Sequence, residues 1–205
     1  MASMLFITDK RNGDVKAREV AIGSKPCMYD GYNNSNGSFP TVNTGILFIT
    51  VLVDAHERRS VAMLDIQNTF LNAENDEYVF MLLRGKLSEF LVKVNPSLYR
   101  KYVITLKQGV PMLYVKLTKA LYGILRSAML FYNNIRGHLE GKGLKVNPYE
   151  PCVANKMVGG YQIIVCWHVD YLKVSHIEED TIAHFCTWIC GIFGDGTKIF
   201  RGKVY

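Results

Sequence analysis

The chain has 205 residues, of which 49% are hydrophobic and 20% are charged, and this balance excludes an intrinsically disordered protein. A net charge of +6 favours a polyanionic partner such as nucleic acid, although the scattered lysines and arginines also fit an ordinary basic protein. The five cysteines form no Cys-x-x-Cys pair, which argues against a disulfide framework and for a reducing compartment. Without a signal-peptide pattern or a bilayer-length apolar run, we expect an intracellular protein, cytoplasmic or nuclear, with no membrane partner.

The first third of the chain carries alternating strand, loop and helix signals. In chain order these predict strands over 4–8 and 15–22 around an Asn12-Gly13-Asp14 turn, a surface loop over 29–43, and a buried helix over 44–57. Residues 60–70 then predict an apolar strand that carries a single acid, Asp65.

The second half of the chain predicts two amphipathic helices on either side of a strand region. The first helix has an apolar face formed by Ala128, Phe131, Tyr132, Ile135 and Leu139. Strands follow over 152–157, 161–168 and 171–175, with Val169-Asp170 at a hairpin apex. The second helix has a stripe formed by Ile182, Phe185, Cys186, Ile189 and Phe193, and Ser175 and Glu178 have capping-box spacing before it.

The order of these elements predicts the fold class. Antiparallel hairpins interspersed with helices are typical of an α+β protein, here an antiparallel sheet with helices packed on one face. His184, Cys186 and Cys190 cluster near the C-terminus and could bind zinc, but the one-turn spacing of the two cysteines on an apolar stripe favours buried packing.

Two acids stand out by their surroundings. Asp65 lies within an apolar strand pattern, and Asp170 lies at the apex of an apolar hairpin. A carboxylate in apolar surroundings is costly unless it is paired, hydrogen-bonded or bound to a metal. Two such acids could meet on one sheet and hold a divalent cation through their oxygens. The plainer alternative is a capping or turn aspartate at each position.

Five segments keep, in order and rough spacing, the motifs of one polymerase family. They are 16–18 (KAR), 64–72 (LDIQNTFLN), 119–123 (KALYG) with Phe131-Tyr132, 147–153 (NPYEPCV) and 168–172 (HVDYL). The set resembles the K-A-R, D-V-x-x-A-F-L-N-G, K-x-L-Y-G…W-Y, D-P-C-V and Y-V-D-D-L motifs of copia-type retrotransposon reverse transcriptases. One such match is weak, but five in register are specific.

The resemblance implies a right-hand polymerase, with fingers at about 1–60 and 75–115 and a palm at about 61–74 and 116–205. The chain would then be a fragment of a single reverse transcriptase domain, without thumb or RNase H, from what is in the family a larger polyprotein. The implied reaction is RNA-directed DNA synthesis by nucleotidyl transfer. Its implied participants are two Mg²⁺ ions, an RNA template, a DNA primer and deoxynucleoside triphosphates.

The resemblance also implies roles for individual residues. The metal ligands would be Asp65, the backbone carbonyl of Ile66, and Asp170, and the nucleotide contacts would be Lys16, Arg18, Phe70 and Gly123. Phe70 takes the ribose-gate position, where an aromatic ring excludes a 2′-hydroxyl, and Lys16 and Arg18 take the triphosphate positions. Outside the family context, each has a plainer alternative: Phe70 in the core, Gly123 in a turn, and Lys16 and Arg18 on an exposed strand face.

One departure from the family pattern bears on activity. Tyr171 occupies the third carboxylate position, and a neutral phenol is a poor magnesium ligand. Losing several kcal/mol of transition-state stabilisation would slow the reaction by on the order of 10³-fold or more. We therefore expect an inactive or nearly inactive reverse transcriptase, through decay of the element or a sequencing error. Arg126 keeps a cation for a phosphate, or is a solvated arginine at a helix end.

Two other functions compete with a polymerase. The first is a non-catalytic remnant on the same fold that binds nucleic acid through its basic surface, with affinity that falls steeply with salt. The second is an unrelated basic α+β protein whose motif matches are accidental. A hairpin that brings Asp170 near Asp65 would argue against accident.

Overall fold

The computed structural model describes residues 2–9, 13–22, 39–105, 109–124, 126–194 and 196–203. Its strands are β1 (Ser3–Asp9), β2 (Val15–Ala21), β3 (Ser60–Asp65), β4 (Glu74–Arg84), β5 (Ile104–Thr105), β6 (Pro111–Lys119), β7 (Lys145–Val146), β8 (Val153–Val158), β9 (Tyr161–His168), β10 (Tyr171–His176) and β11 (Lys198–Lys203). Its helices are α1 (Thr44–His56), α2 (Lys86–Val94), α3 (Pro96–Tyr99), α4 (Ser127–Gly141) and α5 (Glu179–Phe193). Within these ranges, no helix has the length and apolarity needed to cross a bilayer.

The chain forms two compact units. The first unit comprises the described parts of 1–37 and 73–127, and the second comprises those of 38–72 and 128–205. These boundaries follow from compactness alone, so the division into fingers and palm stays a prediction. The antiparallel sheets and the interspersed helices confirm the broad α+β class.

The first unit contains two small antiparallel sheets. β1 and β2 pair as the predicted hairpin, although Asn12 of its turn lies outside the described residues. The second sheet has the order β4-β6-β5, and α2 packs on it. Met81, Leu83 and Leu113 form its buried core, because the alternate positions of β4 and β6 point to the same face. Most of the predicted surface loop at 29–43 also lies outside the described residues.

The second unit is built on a six-stranded antiparallel sheet with the order β11-β3-β10-β9-β8-β7. Ala62 and Leu64 of β3 and Leu172 and Val174 of β10 are fully buried, and α5 packs on these two strands. α4 covers the same face, since Phe131 of α4 lies 5.9 Å from Phe193 of α5, between ring centroids. The apolar alternation of the strands thus buries one face under two helices.

The predicted stripe of α5 is confirmed, since Ile182, Phe185, Cys186, Ile189 and Phe193 are its buried residues. The predicted capping box is wrong. Ser175 belongs to β10 and is buried, and α5 begins after Glu178 without a side-chain cap. Ser175 is drawn into the sheet because β10 continues to His176, one residue beyond the predicted strand.

Two predictions about helix packing also need correction. α1 forms at the predicted place, but it is not a buried helix, because its large apolar residues Phe48, Ile49 and Leu52 are exposed. Its buried residues are instead Thr50 and Asp54, which contact Lys173 of β10. Because Lys173 points away from the face of Leu172 and Val174, α1 packs on the opposite side of the sheet from α4 and α5. Helices therefore contact both faces.

Candidate metal and nucleotide site

The segments of Asp65 and Asp170 meet at one end of the six-stranded sheet. Asp65 is the last residue of β3, and Asp170 lies in the turn between β9 and β10. The Ile66 amide donates a hydrogen bond to the Asp170 carbonyl at 2.9 Å, and Tyr171 is the register partner of Asp65. The fold therefore places these two half-buried acids beside each other in the backbone, although they are distant in sequence.

The hairpin that carries Asp170 has a strained backbone. His168 and Tyr171 close a two-residue loop in which Val169 has a φ of 54°. Left-handed φ values at a β-branched residue cost about 1–3 kcal/mol, and such strain is concentrated at functional sites. The strained residue directly precedes Asp170. The conformation of the turn that orients this acid is therefore imposed by the paired strands β9 and β10, because the valine itself disfavours it.

Ile66 and Phe70 lie in the segment that leaves β3. The Ile66 carbonyl accepts a hydrogen bond from the Thr69 hydroxyl at 2.7 Å, while its side chain is buried. One of the two lone pairs of the predicted carbonyl ligand is therefore already used. Phe70 is half-buried in the 3₁₀ turn Thr69–Asn72, which follows directly.

Tyr171 and Lys198 flank Asp65 on the two neighbouring strands. Tyr171 of β10 and Lys198 of β11 are both register partners of Asp65, so the three residues form one row across the sheet. In the described part of the chain, no group of three or more His, Cys, Asp or Glu side chains could hold a metal ion. Asp65 and Asp170 each offer carboxylate oxygens, which a divalent cation prefers, whereas the neutral phenol of Tyr171 is a poor ligand, so the binding of Mg²⁺ at this position stays a prediction.

Lys16, Arg18 and Gly123 lie in the first unit. Lys16 and Arg18 are both exposed on one face of β2, and the Arg18 guanidinium lies 5.4 Å from the centroid of the Tyr122 ring. Gly123 has a φ of 90°, and a Cβ there would lie 1.9 Å from the Ala21 carbonyl oxygen. The close approach that Gly123 permits in this structure is to β2, whose Ala21 amide donates to the Tyr122 carbonyl at 2.8 Å.

Arg126 is engaged by two acids of the same unit. Its guanidinium forms ion pairs with Asp76, at 2.7 Å, and with Glu77. Burial acts to lower the pKa of Arg126, but the hydrogen bond to Glu77 and the charges of Asp76 and Glu77 raise it overall. Arg126 is therefore neither a solvated arginine at a helix end nor a cation without a carboxylate partner.

The sequence analysis missed a polar cluster beneath α1. Lys173 forms an ion pair with Asp54 and donates a hydrogen bond to the Thr50 hydroxyl at 3.0 Å, and all three residues are buried. The other carboxylate oxygen of Asp54, Oδ1, has no hydrogen-bond partner among the described residues. The sequence did contain a signal for this pair, because Asp54 and Lys173 each lie within an apolar segment. A charged residue in such a segment is usually buried together with a residue of opposite charge.

The chain has a distant structural similarity to a solved protein. No family model matches the chain. A solved structure of telomerase from Candida tropicalis, in complex with the TWJ fragment of telomeric RNA, aligns with 98% of this chain at 11% identity and a TM-score of 0.45. The chain spans 41% of the length of that telomerase chain.

Proposed function

We propose that the chain is a reverse transcriptase domain of a copia-type retrotransposon, with a palm whose RNA-directed DNA polymerase activity is weakened by Tyr171. The observation that carries the proposal is the hydrogen bond from the Ile66 amide to the Asp170 carbonyl, at 2.9 Å, beside the Asp65–Tyr171 register pair. A strand end and a hairpin apex that each carry a motif acid adjoin in one sheet. Accidental motif matches would give no reason for this arrangement.

Under this proposal each predicted residue has a task. Asp65 and Asp170 would hold Mg²⁺, which when bound activates the primer hydroxyl and neutralises phosphate charge. Lys16 and Arg18 would bind the triphosphate, and Phe70 would exclude a 2′-hydroxyl. Gly123 would lie close to the incoming nucleotide. The partners would be an RNA template, a DNA primer and deoxynucleoside triphosphates.

Tyr171→Asp tests the proposal, because it restores the family pattern at the third carboxylate position. We expect incorporation of a single deoxynucleotide on an RNA template to rise by on the order of 10³-fold, the effect of several kcal/mol at the transition state. The measurement is gel-resolved extension of a labelled primer by one nucleotide, with Mg²⁺ or Mn²⁺. Single-nucleotide addition is chosen because it does not require processive synthesis.

Two controls sharpen this experiment. Adding Asp65→Asn to Tyr171→Asp should abolish incorporation, because the metal site again loses a carboxylate. Tyr161→Asp is the matched control, since Tyr161 is 47% exposed and begins β9 as Tyr171, 49% exposed, begins β10. Tyr161→Asp should leave incorporation at the level of the unmodified chain. Equal incorporation by the two tyrosine variants would contradict the proposal.

A second candidate function is nucleic-acid binding without chemistry, and the position of Lys198 favours it. An ammonium group in the row of Asp65 opposes binding of a cation and attracts a phosphate. Such binding would persist in EDTA and would weaken steeply as salt is raised. A labelled primer–template titrated with and without EDTA distinguishes this function from metal-dependent synthesis.

A further inference from the structure

The sheet face that carries Asp65 has an open corner. Tyr171, Asp65 and Lys198 are register partners on β10, β3 and β11, so their side chains leave the sheet on the same side. Directly opposed residues in an antiparallel sheet have Cβ atoms about 4.5–5.5 Å apart, which makes this row continuous. Tyr171 is 49% exposed, and Lys198 is exposed as well.

The next row on this face adds two exposed apolar side chains to the corner, those of Met63 and Phe200. It contains Lys173, Met63 and Phe200, again as register partners on β10, β3 and β11. α1 covers Lys173, whereas Met63 is 39% exposed and Phe200 is 61% exposed. Strand and residue spacings put Tyr171 and Phe200 roughly 12 Å apart across the corner. The two rings are therefore too far apart to contact one base together, and each would take a different base.

We infer that this corner, formed by Tyr171, Lys198, Met63 and Phe200, is a metal-independent binding site for single-stranded nucleic acid. Exposed aromatic rings provide faces on which unpaired bases stack, and Lys198, two residues from Phe200 on β11 and in the row of Tyr171, contacts the backbone phosphate. The occupant is single-stranded because a base paired within a duplex does not offer its face to a separate ring. The basic excess of the chain, +6, complements the charge of this ligand.

The residue that removes a metal ligand is the one that completes the binding site. A carboxylate at position 171 would bring a second negative charge beside Asp65 and repel a phosphate, whereas the phenol adds a stacking face and no charge at neutral pH. Lys198 then offsets the remaining charge of Asp65 from the other side of the row. The inference rests on the proposed function in that it gives the same sheet face a nucleic-acid ligand.

The experiment is fluorescence anisotropy of a labelled dodecamer of deoxythymidine in EDTA, with a blunt duplex of the same length for comparison. We expect the single strand to bind more tightly than the duplex. Tyr171→Ala and Phe200→Ala should each weaken single-strand binding by at least about fivefold, the effect of losing one stacking partner. Tyr171→Phe should bind like the unmodified chain, because the ring is kept.

Matched variants test whether position or mere exposure matters. Tyr161→Ala removes an aromatic ring of similar exposure from the same sheet and should leave binding within about twofold, since a ring away from the corner adds no stacking partner. Lys198→Ala should lower the slope of log affinity against log salt by about 0.7, the value for one phosphate contact on a single strand. Lys145→Ala, at an exposed lysine of β7, should leave that slope unchanged. Circular dichroism confirms that each variant is folded.

The outcomes separate this inference from the proposed function. If Tyr171→Ala and Phe200→Ala bind the single strand as tightly as the unmodified chain, or if binding requires Mg²⁺, the inference is overturned. Tyr171→Asp should weaken binding in EDTA while it raises primer extension. Loss of binding without a gain in extension supports the inference and counts against the proposed function. A gain in primer extension with unchanged binding supports the proposed function and counts against the inference.

Discussion

The two faces of the six-stranded sheet are built on different principles. On one face, Leu64 and Leu172 are fully buried beneath α5, and hydrophobic area decides the packing. On the other face, Lys173 is buried by an ion pair with Asp54, while Met63 and Phe200 stay exposed. The alternation of apolar residues along β3 and β10 therefore specifies one face as the core. On the other face, the Asp54–Lys173 pair holds α1 against part of the sheet, and the rest of that face is exposed.

The largest effect should come from breaking the charged pair under α1. Asp54→Ala leaves the Lys173 ammonium buried without its counter-charge, and removing one partner of a buried pair costs about 3–5 kcal/mol. The free energy of unfolding from urea denaturation measures this loss. A loss below about 1 kcal/mol would show that Lys173 reaches water and that α1 is not attached through this pair.

The matched control removes both charges at once. Asp54→Leu with Lys173→Met replaces the pair by apolar side chains of similar size, and such replacements are often neutral or stabilising. We expect the double variant to be at least about 2 kcal/mol more stable than Asp54→Ala. If the two variants are equally unstable, the cost arises from packing of the Asp54 position rather than from an uncompensated charge.

Adjacent residues of β3 compare the two faces directly. Leu64→Ala should cost about 3 kcal/mol, because it opens a cavity in a fully buried site under α5. Met63→Ala, one residue away on the open face, should cost less than about 1 kcal/mol, because its side chain is already partly in water. Urea denaturation of the two variants measures the difference, and equal costs would mean that the Met63 face is packed.

The predictable parts of the fold are those that depend on apolar periodicity. The stripe of α5 and the β9–β10 hairpin follow from spacing along the chain, and both were predicted. The orientation of α1 could not be predicted in this way, because its apolar residues lie on all sides. What turns Asp54 inward is Lys173, a residue on a strand far along the chain, and single-sequence periodicity contains no information about that pairing.

In the candidate site, too, local sequence patterns predicted some residues, and those that depend on pairing between distant strands were missed. Motif spacing identified Asp65 and Asp170, whose segments adjoin in the sheet. Lys198 and Phe200 were missed because β11 pairs with β3, the first strand of this sheet in chain order, rather than with a neighbour in sequence. A register between strands so far apart sets which side chains share a row, and local sequence patterns do not specify it.

Alkaline pH should lower the free energy of unfolding, because the thiol of Cys166 is buried on the sheet face beneath α1. Burial raises the pKa of Cys166 from 9.0 to about 11, with Lys173 acting in the opposite direction. The unfolded chain therefore loses this proton first, and stability is unaffected below pH 9 but falls between about pH 9 and 11. The loss is about 1.4 kcal/mol per pH unit within that window. Urea denaturation at pH 8 and 10 should show a smaller fall for Cys166→Ala, and equal falls would contradict the assignment.

The smallest expected effect concerns the turn between β9 and β10, where Val169 directly precedes Asp170. In the β9–β10 loop the first residue, Val169, has a positive φ and the second does not, as in a type II′ turn that favours glycine first. Val169→Gly should stabilise the chain by about 1 kcal/mol, since it relieves about 1–3 kcal/mol of strain and costs about 0.5–1 kcal/mol in chain entropy.

The β8–β9 loop provides the reverse test in the same sheet. There Gly159 and Gly160 both have positive φ, and a Cβ on Gly160 would meet no atom within 4 Å. Gly160→Ala should therefore destabilise through backbone strain alone, by about 1 kcal/mol. Opposite signs for the two variants in urea denaturation would assign the strain to the backbone at Val169. If Val169→Gly also destabilises, packing of the valine side chain outweighs its strain, and the hairpin apex belongs to the packed part of the sheet rather than to its open corner.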